Sequence, residues 1–351
     1  MTRVHRLAAI GMSVAAALTL SGCGTTDVDT AGGDVAPPTS EACTQDTTTT
    51  STGPVSITDG VGRQVELDEP AERIAVLEWQ QIEDALTLCV TPVAVSDAEG
   101  YGTYVSAETI PDGVTDVGTR GEPDLDALYA TNPDLIVIEA FTPDDELIAQ
   151  LESRGVPVLA TLGANGADPI GNMKSVFTMI AEATGRTERA QQVLDDFDTH
   201  LADAKAQVAD VQLPTTDFLF FDGWIEGGNV TIRPYGKGAL FTALGEQLGL
   251  TSAWTDEIDA AYGSGGVDPA YGLAQTDIEG LTAVGNANLF YSNDGEADGY
   301  VSELEKSPIW TSLPAVQQGR AHAFPPGVWG AGGPISCEQA VDAYVAAITA
   351  G

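Results

Sequence analysis

The stretch TERAQQVLDDFDTHLADAKAQVA (residues 187–209) decides how the rest of the chain is read. Its apolar residues Ala190, Val193, Leu194, Phe197, Leu201, Ala204 and Val208 recur at spacings of three and four. That period draws one continuous stripe along an α-helix. At 1.5 Å per residue the helix is roughly 33 Å long, about the width of a domain. A further helical run begins near Pro169, and Thr184-Gly185-Arg186 breaks the two apart.

Both flanks of this helix read as α/β. Upstream, VSITDGVGRQVEL predicts two short strands around an Asp-Gly turn. RIAVL, PVAVS, DLIVIEA and VPVLATL are apolar, β-branched runs, separated by the helical WQQIEDALTLC, DLDALYAT and DDELIAQLESRG. Strand alternating with helix predicts a lobe built on a largely parallel sheet. Downstream the strands restart with DFLFFDGWI, the turn EGGN and VTIR, then helices and strands alternate to a last helix that opens at Gly333-Pro334. The expected fold is two α/β lobes, residues 54–168 and 211–351, with a helical segment at 169–210 between them. The helix at 187–209 spans both lobes as a rigid spacer rather than a hinge.

The chain has 351 residues, with 14 Lys+Arg against 52 Asp+Glu and a net charge of −38. That balance excludes a nucleic-acid partner, which needs a basic face, and charge-driven docking on anionic lipid. Arg3, His5 and Arg6 precede the short apolar run LAAIGMSVAAALTL, which reads as a secretory signal over residues 1–22. LSGC, ending at Cys23, resembles a bacterial lipobox, in which the cysteine is diacylated and becomes the first mature residue. The polar, Thr- and Gly-rich residues 23–53 are expected as a disordered tether. Three more cysteines, Cys43, Cys89 and Cys337, allow one disulfide and leave one thiol; which two pair is open.

The ordered set DGVGRQVEL, ERIAVLEWQQIEDALTLCVTPVAVSDAEGYGTYVS, VTDVGTRGEPDLDALYATNPDLIVI, GALFTALGEQLGLTSAW, SLPAVQQGRAHAFPPGVW and GGPIS resembles the substrate-binding lipoproteins of iron–siderophore ABC importers. The ferric-hydroxamate and ferric-citrate subgroup is the nearest in kind, and the resemblance runs from about residue 55 to the end. It implies a ligand cleft between lobes joined by one long helix, with little closure. In the loop VGTRGEP it makes Arg120 the residue that contacts the ferric ligand's oxygens. A guanidinium suits that task, because its planar fork of donors matches paired oxygens. Aromatic candidates for the organic part of the ligand are Tyr104, Trp329, Phe141, Trp224 and Tyr262. Phe141 is included because it follows a strand whose C-terminal end should face the ligand. Trp310 reads as core, while Trp79 and Trp254 fit either role. Arg233 is a candidate second cation. The family's permease-docking carboxylates match Asp126 and Glu279. Tyr104 stands where the hydroxamate protein has tryptophan, and Gly330-Ala331 where it has aromatics, which leaves the ligand's chemical class open.

Cobalamin and haem are rival ligands on the same fold. A histidine-rich metal site is not expected, since the mature chain has only His200 and His322. No G-x-S-x-G, Walker loop or H-E-x-x-H points to an enzyme, and no cofactor is expected. An adhesive surface lipoprotein is the remaining alternative. The expectation is a monomeric, extracytoplasmic receptor, held to the membrane through Cys23 alone, that hands a ferric siderophore to its permease.

Overall fold

The computed structural model describes residues 35–293 and 295–350. The signal segment, Cys23 and the start of the tether lie outside them. A hairpin, β1 (Val55–Thr58) and β2 (Gln64–Leu67), opens the first lobe. The lobe is built on β3 (Ile74–Val76), β4 (Ala94–Val95) and β5 (Thr115–Asp116). A small hairpin follows, β6 (Gly118–Thr119) with β7 (Glu122–Pro123), and then β8 (Leu135–Glu139) and β9 (Val158–Thr161). The sheet order is β5-β4-β3-β8-β9 and every pairing is parallel. Its strands are buried on both faces, which is why they read as unbroken apolar runs.

The second lobe holds β10 (Asp217–Glu226), β11 (Asn229–Tyr235), β12 (Thr251–Ser252), β13 (Thr276–Asp277), β14 (Asn288–Tyr291) and β15 (Ala321–Ala323). Its order is β13-β11-β10-β14-β15, with β12 also paired to β10. The β10–β11 hairpin and β13 are antiparallel, while β12, β14 and β15 run parallel. The sheet is therefore mixed.

The helix Thr187–Val208 joins the two lobes by belonging to both cores. Ala190 and Val193 are buried in the cluster beneath the first lobe, with Val176, Phe177 and Ile180 of the preceding helix Pro169–Ala183. Phe197, Ala204 and Val208 are buried in the second, with Phe218, Phe241 and Tyr344. Gly185 makes the turn between the two helices with φ +71°, and a Cβ there would sit 2.8 Å from the Ser51 carbonyl oxygen.

A second junction is polar. Every residue of the helix Trp79–Thr87 is buried, including Glu83 and Asp84. Glu83 accepts from the Ser336 backbone N–H at 2.8 Å and from its hydroxyl at 2.6 Å, at the start of the C-terminal helix Pro334–Ala350. The positive end of that helix dipole faces the carboxylate. Gly333 is required here, since a Cβ would fall 2.1 Å from Asp84 Oδ1.

Residues 35–53 depart from the expected tether. They form a strap on the first lobe, with a short helix at Glu41–Thr44 and a disulfide, Cys43–Cys89, that resolves the open pairing. Cys337 is the buried free thiol. Buried Arg186, at the start of the spanning helix, anchors the strap by pairing with Asp46 and donating to Thr50 Oγ1 at 3.2 Å, while its Nε donates to the Leu88 carbonyl at 2.9 Å. Ser51 N–H donates to the Gly185 carbonyl at 2.8 Å. The strap has few apolar residues, so hydrogen bonds and one covalent bond hold it in place of hydrophobic burial. Among the described residues no helix is long and apolar enough to cross a membrane.

The disulfide closes a loop of sequence separation 46. Replacing both cysteines with serine is expected to lower unfolding stability by about 4 kcal/mol through loop-closure entropy, measured by denaturant titration. A loss below about 1 kcal/mol would mean that the strap's hydrogen bonds alone hold it.

Candidate functional site

The first lobe's chain order reverses between β3 and β8, and the C-terminal ends of these two strands open a crevice. Glu78 follows β3 and Glu139 ends β8, so a carboxylate stands on each side of the reversal. Two adjoining chambers fill the cleft, of about 630 and 470 Å³. Both fall within the range of small-molecule sites. Arg120, Arg233, Tyr235 and Trp329 line both chambers.

Arg120 occupies the tip of the β6–β7 hairpin, where Thr119 pairs with Glu122 and the two-residue turn is Arg120-Gly121. Gly121 has φ +79°, which a side chain would oppose. The guanidinium lies 4.0 Å from the centre of the Trp79 ring and donates to Glu78 Oε2 at 3.0 Å. Its side chain keeps 35% of its surface exposed, so this cation is held and yet reachable. Trp79 stacks on Tyr104 at 5.7 Å, and Trp329 meets Trp79 edge-on at 4.9 Å. Trp329 comes from the second lobe's loop, so the aromatic floor joins both lobes.

Across the cleft, β10 and β11 place Asp222 opposite Arg233. Arg233 Nε donates to Asp222 Oδ1 at 2.8 Å and Nη2 to Oδ2 at 2.5 Å, a bidentate pair that also receives the Tyr235 hydroxyl at 3.0 Å. Trp224 lies 5.8 Å from the Arg233 guanidinium and lines the second chamber.

The sequence candidates thus divide. Arg120, Tyr104, Trp329, Trp224 and Arg233 come together at the cleft. Phe141 lines neither chamber; it is 46% exposed, with its ring 6.0 Å from that of Tyr271, which does line one. Tyr262 ends the helix Asp256–Tyr262, 45% exposed and outside both chambers. Asp126 and Glu279 are exposed on the two lobes, Asp126 paired with Arg154 at 2.8 Å. His200 pairs with Asp342, and His322 stacks on Phe290. Trp254 is core, its indole N–H donating to Asp259. No group of three or more potential metal ligands occurs among the described residues.

Several cleft residues carried no signal in the sequence: Glu78, Glu139, Tyr271 and Gln81. Tyr271, from the second lobe, donates its hydroxyl to Glu139 Oε1 at 2.5 Å. Burial raises the pKa of Glu139 despite that bond. Burial also pushes Glu78 up to about 7; Arg120 opposes the shift and Glu139 adds to it.

The profile of the family described as periplasmic binding protein matches residues 74–326. The iron(3+)-hydroxamate-binding protein FhuD of Escherichia coli is 25% identical over 266 residues, covering 75% of this chain and 82% of that protein. A probable siderophore-binding lipoprotein of Bacillus subtilis is 25% identical over 276 residues, covering 75% and 78%. Among solved structures, the Fe3+-Desferal-bound siderophore-binding protein of Vibrio cholerae superposes with a TM-score of 0.66 at 26% identity, over 80% of this chain and 98% of that one. A triscatecholate siderophore-binding protein of Bacillus subtilis gives 0.62 at 21% identity, over 84% and 98%, a likeness of fold.

The raised Glu78 pKa fixes a sign. The folded state holds the proton more tightly than the unfolded chain, so the stability linked to it is full below about pH 4.5 and lost as pH rises through about 7. Glu78→Gln mimics the protonated form. Its unfolding stability should gain on the wild type between pH 4.5 and 8, by up to roughly 3 kcal/mol. Parallel pH–stability curves for the two proteins would refute this.

Proposed function

This chain belongs to the periplasmic binding protein family, and from that premise we propose that it captures a ferric siderophore and delivers it to an ABC importer. The observation that carries the reading is a cleft holding one reachable guanidinium, Arg120, over an aromatic floor shared by the two lobes. A siderophore wraps iron in oxygens whose outer lone pairs point away from the metal. Arg120 offers donors to those oxygens, while Trp79, Tyr104, Trp224 and Trp329 cover the organic backbone. Iron stays in its own ligand shell, and the ligand leaves unchanged, as binding without reaction requires.

Arg120 is the selector, and Arg233, already bound to Asp222, a second and less free donor. The spanning helix resists hinge motion, so closure is small and the bound state reads mainly as covered aromatics. Asp126 and Glu279, exposed on separate lobes, are the docking carboxylates for permease arginines. Cys23 carries the lipid, which places the receptor outside the cytoplasmic membrane as a monomer on a tether shortened by the strap at 35–53.

Titration of intrinsic tryptophan fluorescence with ferric hydroxamate, catecholate and citrate complexes, beside cobalamin and haem, tests the reading. Saturable quenching by a ferric complex is expected. Arg120→Ala should weaken it by about 10- to 100-fold, the range of one or two charge-assisted hydrogen bonds. Saturation by cobalamin or haem with no response to ferric complexes would overturn the ligand.

A further inference from the structure

The cleft holds more negative charge than a ferric ligand's oxygens would call for. Among the described residues, six acidic side chains and two arginines line its two chambers, and Glu78, Asp97 and Glu139 are the three acids of the larger one. Both arginines are spoken for, Arg120 by Glu78 and Arg233 by Asp222. Glu139 makes no salt bridge among the described residues; the Tyr271 hydroxyl donates to it, and the charge of Arg120 acts on it from farther off. Gln81 supplies a separate observation. It is fully buried, lines the same chamber, and its Oε1 has no hydrogen-bond donor. The orientation of the amide follows from its other end. Thr161 Oγ1 donates to the Ile138 carbonyl at 3.0 Å, so it can only accept from Gln81 Nε2 at 2.7 Å, which leaves Oε1 as the unmet atom. A buried acceptor without a donor is costly, and a ligand that supplies one removes the cost.

We propose that the ligand carries a protonated amine, seated in this chamber against Glu139, Glu78 and Gln81 Oε1. The inference rests on the siderophore reading above and narrows it to a ferric complex that is neutral at the metal and bears a pendant ammonium. An ammonium has three donors, and the chamber offers three acceptors for them. Two lie at the ends of β3 and β8, on rigid parallel strands, and the third on the helix that follows β3. The exchange replaces one cation by another. Arg120 leaves Glu78 for the oxygens around iron, and the ammonium takes its place, shared between Glu78 and Glu139. A tris-catecholate complex, which carries three negative charges at the metal, meets the same six acids and is disfavoured by like-charge repulsion.

The test compares three probes by fluorescence quenching and calorimetry on the purified protein: ferric desferrioxamine B, a linear trihydroxamate with one terminal ammonium; its N-acetyl derivative, identical at iron and lacking that charge; and ferric enterobactin, a tris-catecholate. The amine-bearing complex should bind at least about tenfold more tightly than the acetylated one, and enterobactin most weakly. In Glu139→Gln the preference for the amine should fall below about threefold. Equal Kd for the two hydroxamates in the wild type, a comparison that needs no variant, overturns the ammonium site and leaves the siderophore reading standing. Tighter binding of the tris-catecholate than of either hydroxamate overturns it too. Binding of none of the three overturns the ammonium site, and if ferric citrate is also without effect it overturns the parent reading as well.

Discussion

Everything in this molecule depends on one helix serving two hydrophobic cores. Ala190 and Val193 of the spanning helix are committed to the first lobe and Phe197, Ala204 and Val208 to the second. Swinging the lobes apart would have to pull apolar side chains out of one core or bend a continuous hydrogen-bonded helix, and neither comes at low free energy. The cleft is therefore close to a fixed shape. Its selectivity must come from what lines it, because little can come from how it shuts.

What lines it follows from strand order. A parallel sheet whose chain order reverses leaves a crevice at the strand ends, and here the reversal falls between β3 and β8. Glu78 and Glu139 occupy those ends, and Tyr271 reaches across from the other lobe to one of them. Trp329 does the same for the aromatic floor. The second lobe thus completes the site from its β10–β11 hairpin, with Asp222, Trp224 and Arg233, and from loops, with Tyr271 and Trp329, while the first contributes the carboxylates at its strand ends.

The division of labour explains what could be read in advance. The stripe from Ala190 to Val208 is periodic and long, so the two-lobed plan was legible. Arg120 stood out as a scarce cation in a glycine- and proline-bounded loop. The strand-end rule singled out Phe141, and the side chain that lines the larger chamber is Glu139, two positions earlier. Glu78 and Glu139 could not be distinguished among 52 acids, since only the sheet order brings them together. Trp79 sits at the first turn of a buried helix, where core packing and cleft lining look alike. The strap was misread because its composition is that of a disordered chain, and a disulfide orders it without any apolar burial. Cys43 was the one residue that could have signalled this.

That disulfide also sets a load path. Tension applied to the chain ahead of residue 43 crosses directly to Cys89 through the sulfurs. The segment between them, of sequence separation 46, hangs as a covalent loop off the line of force. Glu78, Trp79 and Glu83 all lie within that loop. A tug on the N-terminus is borne beyond Cys89, and the cleft floor and the polar junction between the lobes remain mechanically slack.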